Sequence, residues 1–280
     1  MIYKYPTVEI QERDLLREVE NVWRGYRTCY SNNVDFFEAW PVTMDDLRGN
    51  EEKVKKVFKE LGTAYVSSRT EMSERLKGIA EKFNYEYKDI NPEEEFNAIV
   101  NLNAGEFLDR LLLINACKWI APKIKMGHES PFEHGILTFT VRNCSRSLTH
   151  QLVRHRVASF SQSSQRYISE NPDNLDFVIP VKIQENEEAS KIVNDYLNEL
   201  STCIKKLKDL KIKNEDIRCI YPNAITTNIQ VTMNFRELKH FFELRLSKHA
   251  QDEIRHLAFD ILYYVSSKMP FIWNCLELDI

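Results

Sequence analysis

Apolar positions recur at helical spacing along most of the chain. Residues 9–25 place Ile10, Leu15, Leu16, Val19, Val22 and Trp23 three or four apart, which predicts a first helix. Residues 44–61 repeat the pattern with Leu47, Val54, Val57, Phe58 and Leu61. The Asp45–Asp46 pair suits the start of that helix, where acidic side chains meet the positive end of the backbone dipole. Residues 69–84 carry Met72, Leu76, Ile79, Ala80 and Phe83, again helical. Asn91-Pro92 before three glutamates opens another helix. Residues 105–120 are apolar almost all round, as a central helix is. The period changes after Glu133. Residues 135–142 (GILTFTVR) alternate and are rich in β-branched side chains, which predicts a strand, and 225–233 (ITTNIQVTM) predicts a second. Ser145 is placed to cap a helix over 146–156, and a polar Ser/Gln loop follows at 159–165. Residues 188–212 read as a long charged helix and 214–220 as a short one ended by Pro222. Asn234 caps a helix over 235–247, and 250–268 is a last long helix. The expected class is α+β with helix dominant. Residues 1–280 read as a single domain, with 35–104 as a highly charged helical insertion or peripheral subdomain.

Composition narrows the function classes. With 43% hydrophobic and 29% charged residues, the 280-residue chain reads as a folded soluble protein with a sizeable core. The net charge of −4 argues against a surface coated by nucleic acid. No apolar run reaches the ~18 residues of a membrane span, and the acidic amphipathic N-terminus does not read as a signal peptide. The six cysteines lack any C-x-x-C pair, so they read as reduced thiols in the cytoplasm. Only seven glycines occur, and neither G-x-G-x-x-G nor G-x-x-x-x-G-K-[ST] is present. A nucleotide or flavin would have to be held by side chains.

The sharpest local signal is missing acid. From His134 to Ser169 there is no Asp or Glu, yet the stretch holds Arg142, Arg146, Arg154, Arg156 and Arg166 with His134, His150 and His155. Either acids from elsewhere in the fold pair with these cations, or an anion completes the patch, since guanidinium groups bind phosphates through parallel donors. Within it, Gln151-Leu-Val-Arg154-His155-Arg156-Val-Ala-Ser159-Phe-Ser161-Gln162-Ser163-Ser164-Gln165-Arg166-Tyr167 closely resembles the RHR-x-x-S-x-N-x-x-S-x-R signature of the flavin-dependent thymidylate synthases. Upstream, Gly127-His128-Glu129-Ser130-Pro131-Phe132-Glu133-His134 is similar to that family's GHE-[ST]-PFEH element. Downstream, Ile217-Arg218, Tyr221-Pro222-Asn223, Asn234, Arg236 to Arg245 and His249-Ala250-Gln251 with Glu253-Ile254 are similar to its C-terminal half. Trp23-Arg24-Gly25-Tyr26-Arg27-Thr28-Cys29 resembles its first helix and turn. The match covers about residues 105–270 plus 19–31. Ser161 stands where the signature has Asn, Gln162 where some members have Glu, and Ser163 where others are apolar.

The resemblance implies a helix-dominated fold with a small antiparallel sheet, and a cytoplasmic homotetramer with active sites between subunits. The implied reaction is reductive methylation of dUMP to dTMP, with methylenetetrahydrofolate as carbon donor and FAD reduced by NADPH. Uracil C5 must then become nucleophilic. No Cys lies in the Arg/His-rich motif, and Cys144 reads as a small core residue, so the route is electrostatic rather than covalent. Arg245 is the candidate catalytic group, polarising the N3–C4=O4 edge. Gln151, Arg154, Gln162, Ser163, Ser164, Gln165, Arg166, Arg218 and Arg245 are the implied dUMP contacts. Ser164 has no nearby base in sequence and reads as a phosphate donor, not a nucleophile. His128, Ser130, Arg154, His155, Arg156, Gln162, Asn234, Arg236 and His240 are the implied flavin contacts. His134, His249 and His256 read as structural, and no metal, nucleic acid or membrane is expected as partner.

Three rival readings remain on the residues. A metallohydrolase built on His128, Glu129 and His134 fails because the second His comes two places too late for H-E-x-x-H and Pro131 interrupts the helix. A single-stranded nucleic-acid-binding protein would interleave aromatics with its arginines, and only Phe160 and Tyr167 are near. The remaining alternative is a catalytically inactive nucleotide-binding relative.

Overall fold

The computed structural model describes residues 5–10, 15–30, 36, 40–168, 171–172 and 175–278. In chain order the elements are β1 (Thr7–Ile10), α1 (Leu15–Tyr30), α2 (Met44–Gly49), α3 (Glu51–Phe83), α4 (Pro92–Asn97), α5 (Ala104–Lys125), β2 (Ile136–Ser145), α6 (Arg146–Leu152), β3 (Ala158–Gln162), α7 (Val181–Gln184), α8 (Glu187–Asp209), α9 (Asn214–Ile217), β4 (Thr226–Asn234), α10 (Phe235–Arg245), α11 (Asp252–Lys268) and α12 (Pro270–Trp273). The class is α+β, helix-dominated, with one small antiparallel sheet. Two compact units divide the chain. The first comprises 1–11, 138–232 and 251–257; the second comprises 12–137, 233–250 and 258–280.

The first unit is built on the sheet, in the order β1-β2-β4-β3. The two strands expected from alternation are its centre. The two not expected are its edges. β1 pairs antiparallel with β2, Thr7 opposite Arg142 and Glu9 opposite Thr140. Residues 9 and 10 therefore belong to a strand, not to the first helix, because a pairing partner 130 residues away overrides the local period. β3 occupies 158–162, where a polar loop was expected. An edge strand with one face to solvent tolerates ASFSQ, whose Ser159 and Ser161 point outward. A separate apolar cluster (Leu175, Phe177, Ile179, Leu197, Leu200, Ile204, Ile217, Ile225) packs one face of α8 onto this unit. The buried stripe explains why α8 forms as expected, with Asn186 capping Ala189 N.

The second unit is helical. The periodic runs 44–61 and 69–84 do not form two helices of those bounds. The break falls at Asn50, whose side chain caps Lys53 N, and α3 then runs unbroken for 33 residues. Nor is the 35–104 segment peripheral where it is described. Val42, Leu61, Tyr65, Phe96 and Ile99 share one core with Leu108, Leu111 and Ile114 of α5. Elsewhere in this unit Phe132, Phe235 and Phe242 ring Trp273 at centroid distances of 5.3–5.8 Å.

Arg69 of α3 is fully buried and meets the Glu95 carboxylate through Nε at 2.9 Å. Glu95 is partly exposed, but removing it strands the buried Arg69 guanidinium, which costs up to roughly 3 kcal/mol. Glu95→Ala should therefore lower unfolding stability by up to about 3 kcal/mol, measured by urea denaturation. A loss below about 0.5 kcal/mol, the size of an ordinary surface change, would contradict the pairing.

Candidate functional site

In the first unit the candidate residues sit at the C-terminal end of α6 and on the segment after β3. Ser145 caps α6 by accepting from Leu148 N, as expected, but the helix ends at Leu152 rather than 156. The chain leaves through a tighter turn, in which Arg154 N donates to Gln151 O at 3.3 Å and His155 N to Leu152 O at 3.1 Å. Arg154 and Arg156 are exposed, while His155 is buried. The three consecutive residues thus separate, two cations outward and the imidazole inward.

The acid-free stretch is partly balanced by acids from elsewhere in the chain. Arg142 is paired by Glu9 at 2.9 Å and Arg166 by Glu215 at 3.1 Å. Arg146 donates to the Ser163 carbonyl at 2.9 Å. Arg154 and Arg156 have no ion-pair partner among the described residues. Arg218, far from Arg166 in sequence, is brought to it: both guanidiniums converge on Glu215, Arg166 at the carboxylate and Arg218 at the backbone carbonyl, 3.3 Å. Glu215 was not anticipated; it stands outside the acid-free run, and only the fold brings it there.

The signature segment is itself held internally. Gln162 donates its amide to Thr149 at 3.0 Å and Thr227 at 3.4 Å. Ser163 N donates to Asn228 O at 2.9 Å, while Asn228 Oδ1 accepts from Asn143 N at 3.0 Å. Asn143 is left-handed (φ 56), which Asn tolerates. Ser164 Oγ accepts from Arg166 N at 3.3 Å, a turn contact, with no base bonded to it among the described residues. Gln165 Nε2 is buried with no hydrogen-bond acceptor among the described residues. Gln151 donates to Gln251 Oε1 at 2.5 Å. Glu253 accepts from Ser145 N at 2.8 Å and Ser145 Oγ at 2.5 Å. Burial pushes the Glu253 carboxyl upward in pKa, against those two bonds.

Cys144 is buried, its thiol 3.3 Å from Thr227 O, and burial pushes its pKa up to about 12. At neutral pH the thiol stays protonated. The core reading of this cysteine holds.

In the second unit, α1 and the 3-10 turn Ser130–His134 line one cleft of about 560 Å³ with Asn21, Arg24, Thr28, Ser130 and His134 among its walls. Two sequence elements of the resemblance thus meet. Gly25 permits the approach, since a Cβ there would come within 2.7 Å of His134 and 3.0 Å of Pro131. His128 is exposed; its carbonyl accepts from Tyr26 Oη at 2.5 Å, and its ring stands edge-on to Tyr30 at 5.5 Å. Asn234 caps α10 through Glu237 N at 2.8 Å. Arg236 pairs with Glu133 and, at 3.6 Å, with Glu129. Lys239 bridges Glu129 at 3.1 Å and Glu243 at 2.7 Å. Burial opposes the Lys239 ammonium, but the hydrogen bonds with Glu243 and Glu129 outweigh it and its pKa is raised. His240 is exposed on the same helix, and Arg245 is half-buried in its last turn, where burial works against its charge. Lys239 and Tyr26 lie within the stretches that carry the resemblance but were not singled out as site residues; Tyr26 and one arm of the Lys239 bridge take their partners from residues distant in sequence.

The family profile described as thymidylate synthase complementing protein matches residues 18–271. The chain is 46% identical over 144 residues to a flavin-dependent thymidylate synthase of Pyrococcus abyssi, covering 51% of this chain and 59% of that protein. It is 38% identical over 174 residues to one of Geobacter sulfurreducens, 62% of this chain and 75% of that protein. With one of Clostridium tetani it shares 34% identity over 204 residues, 67% and 76%. The chain spans about three fifths of the length of the archaeal relatives it matches.

Burial orders the cysteines by reactivity. In the native protein a thiol reagent should label exposed Cys29, Cys203 and Cys219 within minutes and leave Cys117 and Cys144, both held near 12, unmodified. Peptide mass spectrometry reads the pattern, and rapid labelling of Cys144 would contradict its place in the core.

Proposed function

The chain belongs to the thymidylate synthase complementing protein family, and on that premise we propose that it forms dTMP from dUMP by reductive methylation. The observation that carries this reading is a set of four exposed arginines of which, among the described residues, Arg154 and Arg156 have no ion-pair partner, Arg166 meets the Glu215 carboxylate, and Arg218 meets only the Glu215 backbone carbonyl. Such a set suits the phosphate of a nucleotide and the diphosphate of a flavin.

Arg154, Arg166 and Arg218 would clamp dUMP, with Ser164 and Gln165 donating beside them. The enclosed Gln165 amide is the donor that a bound ligand would satisfy. Arg245 would face the uracil N3–C4=O4 edge. Arginine stays cationic at neutral pH, and a half-buried guanidinium acts on a developing negative charge more strongly than one in water. Charge drawn to that edge makes C5 the nucleophile without a protein thiolate, in keeping with the un-ionised Cys144.

The donor set also fits FAD. In the first unit Arg154 and Arg156 offer positive charge with no ion-pair partner among the described residues; in the second, Ser130 lines the cleft by α1, and His128, Asn234, Arg236 and His240 offer donors and acceptors. When bound, the flavin supplies the redox chemistry that completes the transferred one-carbon unit as a methyl group. We take methylenetetrahydrofolate and NADPH as co-substrates by the same likeness. A homotetramer is supported by apolar side chains exposed on the signature segment, Val153, Val157, Ile168 and Tyr167, the last 81% exposed. Six unpaired cysteines support a reducing compartment, the cytoplasm; among the described residues no helix is long and apolar enough to cross a membrane. Residues 35–104 we read as a structural insertion within one catalytic domain, supported by their shared core with α5.

Arg245→Ala should retain flavin, read by visible absorption, and lose about 100-fold or more in dTMP formation, the scale of removing one charge-stabilising donor. Turnover at the wild-type rate would overturn its role. Arg166→Ala should raise the dissociation constant for dUMP by roughly tenfold or more, with flavin affinity within about twofold; equal loss of both would point away from a substrate clamp.

A further inference from the structure

The Gln151 carboxamide is held by two polar contacts, one from Gln251 just before α11 and one from the Ser147 carbonyl of its own helix. Gln151 Nε2 lies 2.5 Å from Gln251 Oε1 and 3.5 Å from the Ser147 carbonyl. A backbone carbonyl only accepts, so the Gln151 atom beside Ser147 O is the amide nitrogen, and Gln251 must present its oxygen. Ser147 Oγ, 3.5 Å from that same oxygen, is a second donor to it. Two residues on, Glu253 is buried and takes both Ser145 N and Ser145 Oγ, and Ser145 Oγ accepts from Leu148 N at 2.9 Å. The turn 251–253 is thereby locked to the first turn of α6, and Gln251 cannot drift from Gln151 without breaking that lock.

We propose that Gln251 is a positioning residue for the nucleotide site: it holds the Gln151 carboxamide in one of its two flips, donor end toward Gln251. This rests on the reading of Gln151 as a dUMP contact. A free carboxamide offers either end to a ligand; a held one offers its oxygen, whose two lone pairs can take a ligand donor alongside any internal bond. Holding the group also removes rotamer freedom that substrate binding would otherwise have to freeze. The same device does nothing for the chemical step, so its effect belongs in affinity.

The test is a double-mutant cycle on dUMP binding with the flavin-loaded, full-length protein. Gln251 is exposed, so Gln251→Ala should fold with its thermal midpoint within about 2 °C of wild type, the shift expected of a surface change. Gln251→Ala should raise the dissociation constant and KM for dUMP roughly fivefold, the worth of about one hydrogen bond, with kcat within about twofold. Gln151→Ala should cost at least as much, and adding Gln251→Ala to it should change nothing further. Multiplicative losses in the double variant, or wild-type affinity in Gln251→Ala, would overturn the assignment. A folded, flavin-loaded wild type that does not bind dUMP would instead remove the nucleotide reading itself, and this assignment with it.

Discussion

The residues from His134 to Ser169 carry five arginines and no carboxylate, and the first unit is organised around balancing them. A cation on this stretch must find its counter-charge elsewhere in the chain or in a ligand. The fold supplies part of the answer. Glu9 comes from the edge strand β1 to Arg142, and Glu215 comes from α9 to Arg166. Exposed pairs of this kind contribute about 0–1 kcal/mol each. They are therefore easily exchanged, and a phosphate can compete for Arg166 at little cost. Arg154 and Arg156 meet no acid among the described residues.

Holding those cations in place falls mainly to hydrogen bonds rather than ion pairs. Thr149, Thr227 and Asn228 take the amide of Gln162 and the backbone of Ser163, and Arg146 closes onto the Ser163 carbonyl. Ser145 and Glu253 fix the start of α6, whose far end carries Gln151 and Arg154. Hydrogen bonds between neutral groups add order without adding the negative charge that would compete with a bound anion. The one buried carboxylate in the group, Glu253, spends both oxygens on Ser145.

Much of this was legible in the sequence. The amphipathic helices α8 and α10 and the central strands β2 and β4 follow from periodicity, and α5 from a run that is apolar almost all round. Ser145 and Asn234 were legible as caps because capping is local. What the sequence hid is what depends on distant partners. The strand at 7–10 exists because β2 offers it an edge, and β3 is stable at a sheet margin despite its serines. The division of labour among the arginines was hidden for the same reason. Nothing local distinguishes Arg166, which meets Glu215, from Arg156, which meets no acid among the described residues. Gln251 likewise carries no motif of its own; its significance appears only once α6 and the turn before α11 are side by side.

The most direct test of the account is an anaerobic reaction of the purified protein with FAD, NADPH, methylenetetrahydrofolate and dUMP, with nucleotides separated afterwards by chromatography. The account predicts a flavin absorption band that bleaches with NADPH and dTMP formed over many turnovers, with none when dUMP or the folate is omitted. A protein that binds flavin and dUMP yet forms no dTMP would contradict it, and would leave these arginines as a nucleotide-binding surface without the chemistry.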